Sequence, residues 1–234
     1  QWRGPKRDGV AEEKGLLRQW PSSGPKLVWQ SKVAGYGYGS PSIVGGRLYV
    51  MGNEGANDEV LQAIDTRTGR PLWKTRLGGV GNPDQQPSFP GARSTPTIEG
   101  KRIYALSSDG DLLCADLQTG KAIWKKSLRK DFGGLPGVWA YSESPLVDGD
   151  RVIVTPGGPE ATLVALNKMD GEVLWKCKAP DGERSAAYSS AVATKLGGVK
   201  QYVQFLPKAL IGVDAKTGSQ LWRFNGTIDL TYGV

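Results

Sequence analysis

An eleven-residue phrase occurs four times in this chain of 234 residues: AIDTRTGRPLW at 63–73, CADLQTGKAIW at 114–124, ALNKMDGEVLW at 165–175 and GVDAKTGSQLW at 212–222. Its closing tryptophans, Trp73, Trp124, Trp175 and Trp222, stand about 50 residues apart, the period of a propeller blade or a similar array. Such a period means like units packed on their neighbours.

Each position of the phrase has a local cause. Asp65, Asp116, Asn167 and Asp214 open a turn, where a side-chain oxygen can accept backbone N–H groups two residues on. Gly69, Gly120, Gly171 and Gly218 supply the positive φ that closes a hairpin without a Cβ clash. Thr68, Thr119, Asp170 and Thr217 precede them. Four residues later the tryptophan falls on a fixed face of the outgoing strand, because side chains alternate with period two. The small Ala63, Cys114, Ala165 or Gly212 across the hairpin leaves room for the ring. The pairing reads as a packing device between units.

Upstream of each phrase run two further strand-like stretches, SPSIVGGRLYVMG (40–52), STPTIEGKRIYALSS (94–108), ESPLVDGDRVIVTPG (143–157) and the longer SSAVATKLGGVKQYVQFL (189–206). Apolar and β-branched residues flanking a Gly-containing pair are hairpin signals. Every unit then holds four strands in meander order, one blade of a β-propeller. The expected fold is all-β, with an N-terminal extension (1–25), an orphan closing strand (26–33), blades at 34–78, 79–128, 129–179 and 180–226, and the start of a further blade at 227–234.

Composition agrees. The 33 Gly and 15 Pro are spread along the chain, as many tight turns require. The absence of histidine removes His-based acid/base catalysis, Ser-His and Cys-His pairs and His metal sites. A net charge of +7 falls mostly as scattered pairs such as Lys125-Lys126, which reads as a solvated basic rim and not as a nucleic-acid footprint. Cys114 and Cys177 are too few for a disulfide scaffold. No stretch approaches the roughly 20 apolar residues of a membrane span. The start at Gln1, without Met, reads as a processed or trimmed chain.

On the four phrases the chain resembles the quinoprotein-like (PQQ-binding-like) propeller repeat family, whose docking motif Ala-x-Asp-x-x-Thr-Gly-x-x-x-Trp is matched nearly letter for letter at 63–73. The resemblance covers about 25–226 and implies blade-to-blade docking through the tryptophans, a periplasmic or secreted location, and similarity to the outer-membrane assembly-factor branch. The family commonly closes seven or eight blades with an N-terminal strand. KLVWQSKV (26–33), with Trp29, fits that closing strand, so four visible blades imply either further blades or self-association through open edges, each Trp29 strand pairing in a second copy.

Ligands of propellers sit where the innermost strands converge. The segments entering those strands, 35–41, 90–96, 138–145 and 185–191, carry Tyr36, Tyr38, Arg93, Trp139, Tyr141, Glu143 and Tyr188. The binding candidates are Arg93, Trp139, Tyr141, Glu143 and Tyr188, able to stack on a planar group and fork an anion. The same aromatics would also serve simply to fill the inner ends of the blades. Trp29, Trp73, Trp124, Trp175 and Trp222 are expected to be structural. The loop 78–93 is of functional length.

Two functions follow from the resemblance. One is a non-catalytic binding or scaffolding module with a protein or peptide partner. The other is part of a dehydrogenase that uses pyrroloquinoline quinone (PQQ) and calcium to oxidise alcohols or sugars. The family's alcohol dehydrogenases carry two adjacent cysteines, whereas Cys114 and Cys177 are far apart, and Glu143 has no companion Asp or Asn at matching depth among the mouth residues. These departures favour the first.

Overall fold

In the computed structural model, which describes residues 3–4, 6–82, 91–179 and 185–225, sixteen strands form four separate four-stranded antiparallel sheets. Blade 1 is β1 (Ser42–Val44), β2 (Arg47–Glu54), β3 (Asp58–Asp65) and β4 (Pro71–Gly79). Blade 2 is β5 (Thr97–Glu99), β6 (Arg102–Leu106), β7 (Asp111–Asp116) and β8 (Ala122–Ser127). Blade 3 is β9 (Leu146–Asp148), β10 (Arg151–Val154), β11 (Leu163–Asn167) and β12 (Val173–Cys177). Blade 4 is β13 (Val192–Leu196), β14 (Val199–Leu206), β15 (Ala209–Asp214) and β16 (Gln220–Phe224). Within each sheet the order is sequential, as a meander dictates.

The turn chemistry explains the hairpins. Asp65 Oδ1 accepts the N–H of Arg67 and of Thr68 and the Thr68 hydroxyl; Asp116 and Asp214 repeat all three bonds with their own turns. In blade 3, Asn167 accepts only from Met169 N–H, and Asp170 takes the Thr role by accepting Glu172 N–H. The following glycine sits at φ of 68°, 71°, 78° and 76° in the four blades. Across the ladder Ala63 faces Trp73, Cys114 faces Trp124, Ala165 faces Trp175 and Gly212 faces Trp222, the small-against-large pairing read from the sequence.

The core lies between sheets. Ile103, Ala105, Leu113 and Ala115 of blade 2 face blade 1, while the alternating Tyr104, Leu106, Leu112 and Cys114 face blade 3. Blade 3 divides likewise, with Val152, Val154 and Val164 against blade 2 and Ile153, Leu163 and Ala165 against blade 4. A five-residue helix, α1 (Leu128–Phe132), follows β8 and buries Leu128 and Phe132 in the seam of blades 2 and 3. At each seam a tryptophan reaches the next blade's turn. Trp73 lies over Gly120, Trp124 over Gly171 and Trp175 over Gly218, so close that a Cβ on those glycines would come within 2.5, 2.9 and 2.7 Å of the ring. Each indole N–H donates to the residue after the turn's Asp or Asn: Trp73 to Leu117 O, Trp124 to Lys168 O and Trp175 to Ala215 O.

Trp29 makes the same contact one blade earlier. It covers Gly69 and donates to Thr66 O at 2.6 Å. The strand expected over 26–33 does not form, because no strand lies beside it to complete a ladder among the described residues. Blade 4 already has four strands with Trp222 on the last, so the ladder position that a partner's Trp29 strand would take there is filled. The expected further blade at 227–234 and residues 83–90 of the 78–93 loop lie outside the described residues.

Candidate functional site

The innermost strands β1, β5, β9 and β13 are joined laterally by hydroxyl groups. Ser42 Oγ donates to Pro96 O and Thr97 Oγ1 to Pro145 O, at 2.6 and 2.7 Å. Just above them Thr95 N–H donates to Ser144 Oγ and Ser144 N–H to Ser190 Oγ, at 3.0 and 2.8 Å. These serines and threonines of the GSP, STP, ESP and SSA segments fix the height at which the entering loops leave the wall. Their recurrence beside each innermost strand was the available sequence signal.

Of the five binding candidates, two point into the scaffold. Tyr141 is fully buried, donates its hydroxyl to Pro156 O at 2.8 Å, and lies against Gly134, where a Cβ would come within 2.5 Å of the hydroxyl. Burial pushes its pKa far above that of a free phenol. Glu143 is 2% exposed and accepts Thr155 N–H. Burial pushes its carboxyl up to about 7, and its other oxygen has no partner among the described residues, which suits the protonated form.

The other three lie in two groups nearer the solvent. Trp139 and Tyr188 are half-buried with ring centroids 5.5 Å apart, and the Tyr188 hydroxyl accepts Trp139 N–H at 3.0 Å. Arg93 is half-buried, its guanidinium carbon 5.3 Å from the centre of the Tyr38 ring, a cation–π geometry. Tyr38 and Tyr36 are 60% and 77% exposed. Asn82 ties the two groups' loops, donating to Val138 O at 2.8 Å.

Glu59 was missed. It is fully buried on β3, accepts both Ser108 N–H and the Ser108 hydroxyl, and joins blade 1 to the loop of blade 2. Burial pushes its carboxyl up to about 7 against those bonds and against the charge of Arg93. The signal was its position, four residues before Ala63, where the other repeats have Gly110, Ala161 and Lys208.

A calcium ion needs several converging oxygens. Among the described residues no three of His, Cys, Asp or Glu gather into such a group. Cys114 and Cys177 are buried in different blades, and burial pushes both thiols up to about 11. Neither a carboxylate cluster nor an adjacent cysteine pair occurs among the described residues.

The family model described as outer membrane protein assembly factor BamB matches residues 9–137 and 57–225. The chain belongs to this PQQ-like propeller family. Its curated relatives include the outer membrane protein assembly factor BamB of Salmonella typhimurium, 26% identical over 59% of this chain and 31% of that protein. They also include the quinoprotein alcohol dehydrogenase PedH of Pseudomonas putida, 28% identical over 64% of this chain and 24% of that one. Among solved structures, BamB from Moraxella catarrhalis superposes with a TM-score of 0.58 at 21% identity, over 85% of this chain and 55% of that chain. The quinohemoprotein alcohol dehydrogenase from Comamonas testosteroni gives 0.56 at 18% identity, over 86% and 37%. Both likenesses establish the propeller fold. The chain spans about a third or less of these curated relatives' length.

Proposed function

We propose that this chain is a non-catalytic propeller module of the bacterial cell envelope that binds a protein or peptide partner at the mouth formed by its inner-strand loops. The observation that carries the reading is how the mouth is used. Its acids and its buried tyrosine serve the scaffold: Glu59 clamps Ser108, Glu143 holds Thr155 N–H, and Tyr141 holds Pro156 O. What faces outward is aromatic and cationic, namely Tyr36, Tyr38 over Arg93, and Trp139 on Tyr188. Such a surface suits a polypeptide, with rigid rings for contact area and a guanidinium for a carboxylate or carbonyl.

The relatives named as assembly factors support the envelope setting. Among the described residues no helix is long and apolar enough to cross a membrane. Further blades of the same propeller, or a second copy meeting the Trp222 face, complete the partner set in this reading. The similarity to PedH favours one other reading, a segment of a PQQ- and calcium-dependent dehydrogenase acting on alcohols or sugars.

One paired experiment separates them. The chain is titrated with PQQ and calcium while tryptophan fluorescence is followed, and photo-crosslinking residues are placed at Tyr38 and Trp139 in a bacterial envelope. The proposal expects no saturable calcium-dependent quenching and discrete protein adducts from both positions. Saturable quenching that requires calcium would install the dehydrogenase reading.

A further inference from the structure

The N-terminal arm does not lie where its place in the sequence suggests. Around residues 3–4 and 6–10 the chain turns tightly, with Arg7 N–H donating to Gly4 O at 3.1 Å, Gly9 N–H to Arg3 O at 3.0 Å and Val10 N–H to Asp8 Oδ1 at 2.9 Å. Its anchor is on blade 3, 140 residues along the chain, instead of on blade 1. One guanidinium nitrogen of Arg7 donates to Val147 O on the channel-lining strand β9, and another stands 3.7 Å from Asp148 Oδ1. Arg7 is half-buried there, whereas Asp8 to Trp20 are all exposed. This side chain ties the arm to blade 3.

The receiving groups are organised by the blades themselves. Asp148 Oδ2 accepts the Tyr202 hydroxyl at 2.9 Å and pairs with Lys200 Nζ at 2.6 Å, both on β14 of blade 4. Against the penalty of burial, these bonds and the charges of Lys200 and Arg7 hold the carboxyl below the usual range, so it is ionised at neutral pH. That leaves Oδ1 and the adjacent carbonyl turned to the arm. Beside them a cavity of about 30 Å³, lined by Arg3, Ser144, Pro145, Ser190 and Val192, opens between blades 3 and 4. A carbonyl and a carboxylate side by side match the fork of a guanidinium and not the single point of an ammonium.

We propose that Val147 O and Asp148 form an arginine receptor on the channel wall, filled in cis by Arg7, and that the arm is a plug which an arginine-bearing segment of a partner displaces. The proposal deepens the partner-binding reading and rests on it, since it names one chemistry the partner carries. A tethered arm competes at high effective concentration, so an intact plug masks the receptor from a peptide in solution.

The test uses the full chain and a fluorescein-labelled peptide of residues 3–13, followed by fluorescence anisotropy. The Arg7→Ala chain is expected to bind the peptide about tenfold or more tightly than the unmodified chain does, the difference being the plug. Adding Asp148→Asn to the Arg7→Ala chain is expected to abolish that binding. Because Asp148→Asn also loosens Lys200 and Tyr202, a peptide with lysine in place of Arg7 gives a reading independent of the fold, and it is expected to bind the Arg7→Ala chain at least about tenfold more weakly. Equal affinity of the peptide for the unmodified and Arg7→Ala chains, or of the arginine and lysine peptides for the Arg7→Ala chain, would overturn the receptor. Crosslinks at Tyr38 and Trp139 do not involve Arg7; if they form while the peptide shows no preference, the receptor fails and the partner-binding reading stands.

Discussion

The two faces of blade 4 carry similar residues and meet different fates. Toward blade 3, Tyr202, Leu206, Ile211 and Val213 are buried, with Trp175 seated on Gly218. On the opposite face Val203, Phe205, Leu210 and Trp222 are only partly buried and Phe224 is 56% exposed. Trp222 finds no turn of a following blade among the described residues and donates instead to Gln201 Oε1 of its own sheet, at 2.6 Å. One sheet with the same alternation is thus core on one side and surface on the other. A blade has no interior of its own; its two apolar faces become core only when a neighbour arrives.

The sharpest way to break the comparison is to remove one tryptophan from each setting. Trp124→Ala empties a closed seam and is expected to cost about 3–5 kcal/mol in denaturant unfolding. Trp222→Ala is expected to cost less, about 1–3 kcal/mol, because its ring is only partly buried and no following blade's turn lies over it among the described residues. Equal losses would mean that the blade 4 face is covered in solution, and light scattering on the same sample would show the extra mass.

Adding a methyl group asks the converse question. Gly149 and Gly171 both have positive φ, 62° and 78°, but a Cβ on Gly149 meets nothing within 4 Å whereas one on Gly171 comes within 2.9 Å of Trp124. Gly149→Ala should lose about 1 kcal/mol from backbone strain alone, and Gly171→Ala about 2–3 kcal/mol once the clash is added. The difference in melting measures the docking contact without deleting it.

A pH series reaches the seams through their buried acids. Glu59 and Glu143 have carboxyls raised to about 7, above the unfolded value of 4.5, so the folded chain holds more protons than the unfolded one between those limits. Their contribution is full below about 4.5 and is lost as pH rises through 7; the lowered Asp65, Asp116, Asp148 and Asp214 act oppositely, and only at acid pH. The midpoint of thermal unfolding is therefore expected to fall from pH 5 to pH 8, and Glu59→Gln with Glu143→Gln to flatten that slope. An unchanged slope in the double variant would show that these carboxyls are not the titrating groups. Smallest of all, Thr119→Val removes a hydroxyl bond to Asp116 on an exposed turn and should cost about 0.5–1.5 kcal/mol, read by the same melts.

What could be read from the sequence was what depends on neighbours in the chain. The Asp-Thr-Gly turns, the small residue opposite each tryptophan and the four-strand meander all follow from short-range rules, and they recur in every unit. The strand at 26–33 could not be judged the same way, since a strand exists only beside a partner. Trp29 was legible as a docking residue and its ladder was not. At the mouth, Arg93, Trp139 and Tyr188 lie near the surface, but no local pattern separates them from Tyr141, which turns inward to Pro156, or from Glu143, which is sealed under Thr155. Glu59 and Arg7 make contacts 49 and 140 residues away; Glu59 showed only as a departure from the other repeats at its position, and Arg7 belongs to no repeat.

The docking contact also has a direction. In each of the three seams between described blades the indole leaves the last strand of one blade and ends on the first residues of the next blade's turn, and Trp29 reaches blade 1 in the same sense. Donor and acceptor therefore sit at opposite ends of the interchangeable unit, as on links of a chain with a hook and an eye. A blade can be duplicated, deleted or exchanged in evolution, or grafted from a relative, and the joint regenerates with no compensating change elsewhere. Ring size becomes a matter of gene copying; among the described residues Trp222 is a hook with no eye before it, while the eye at Gly69 is already held by Trp29.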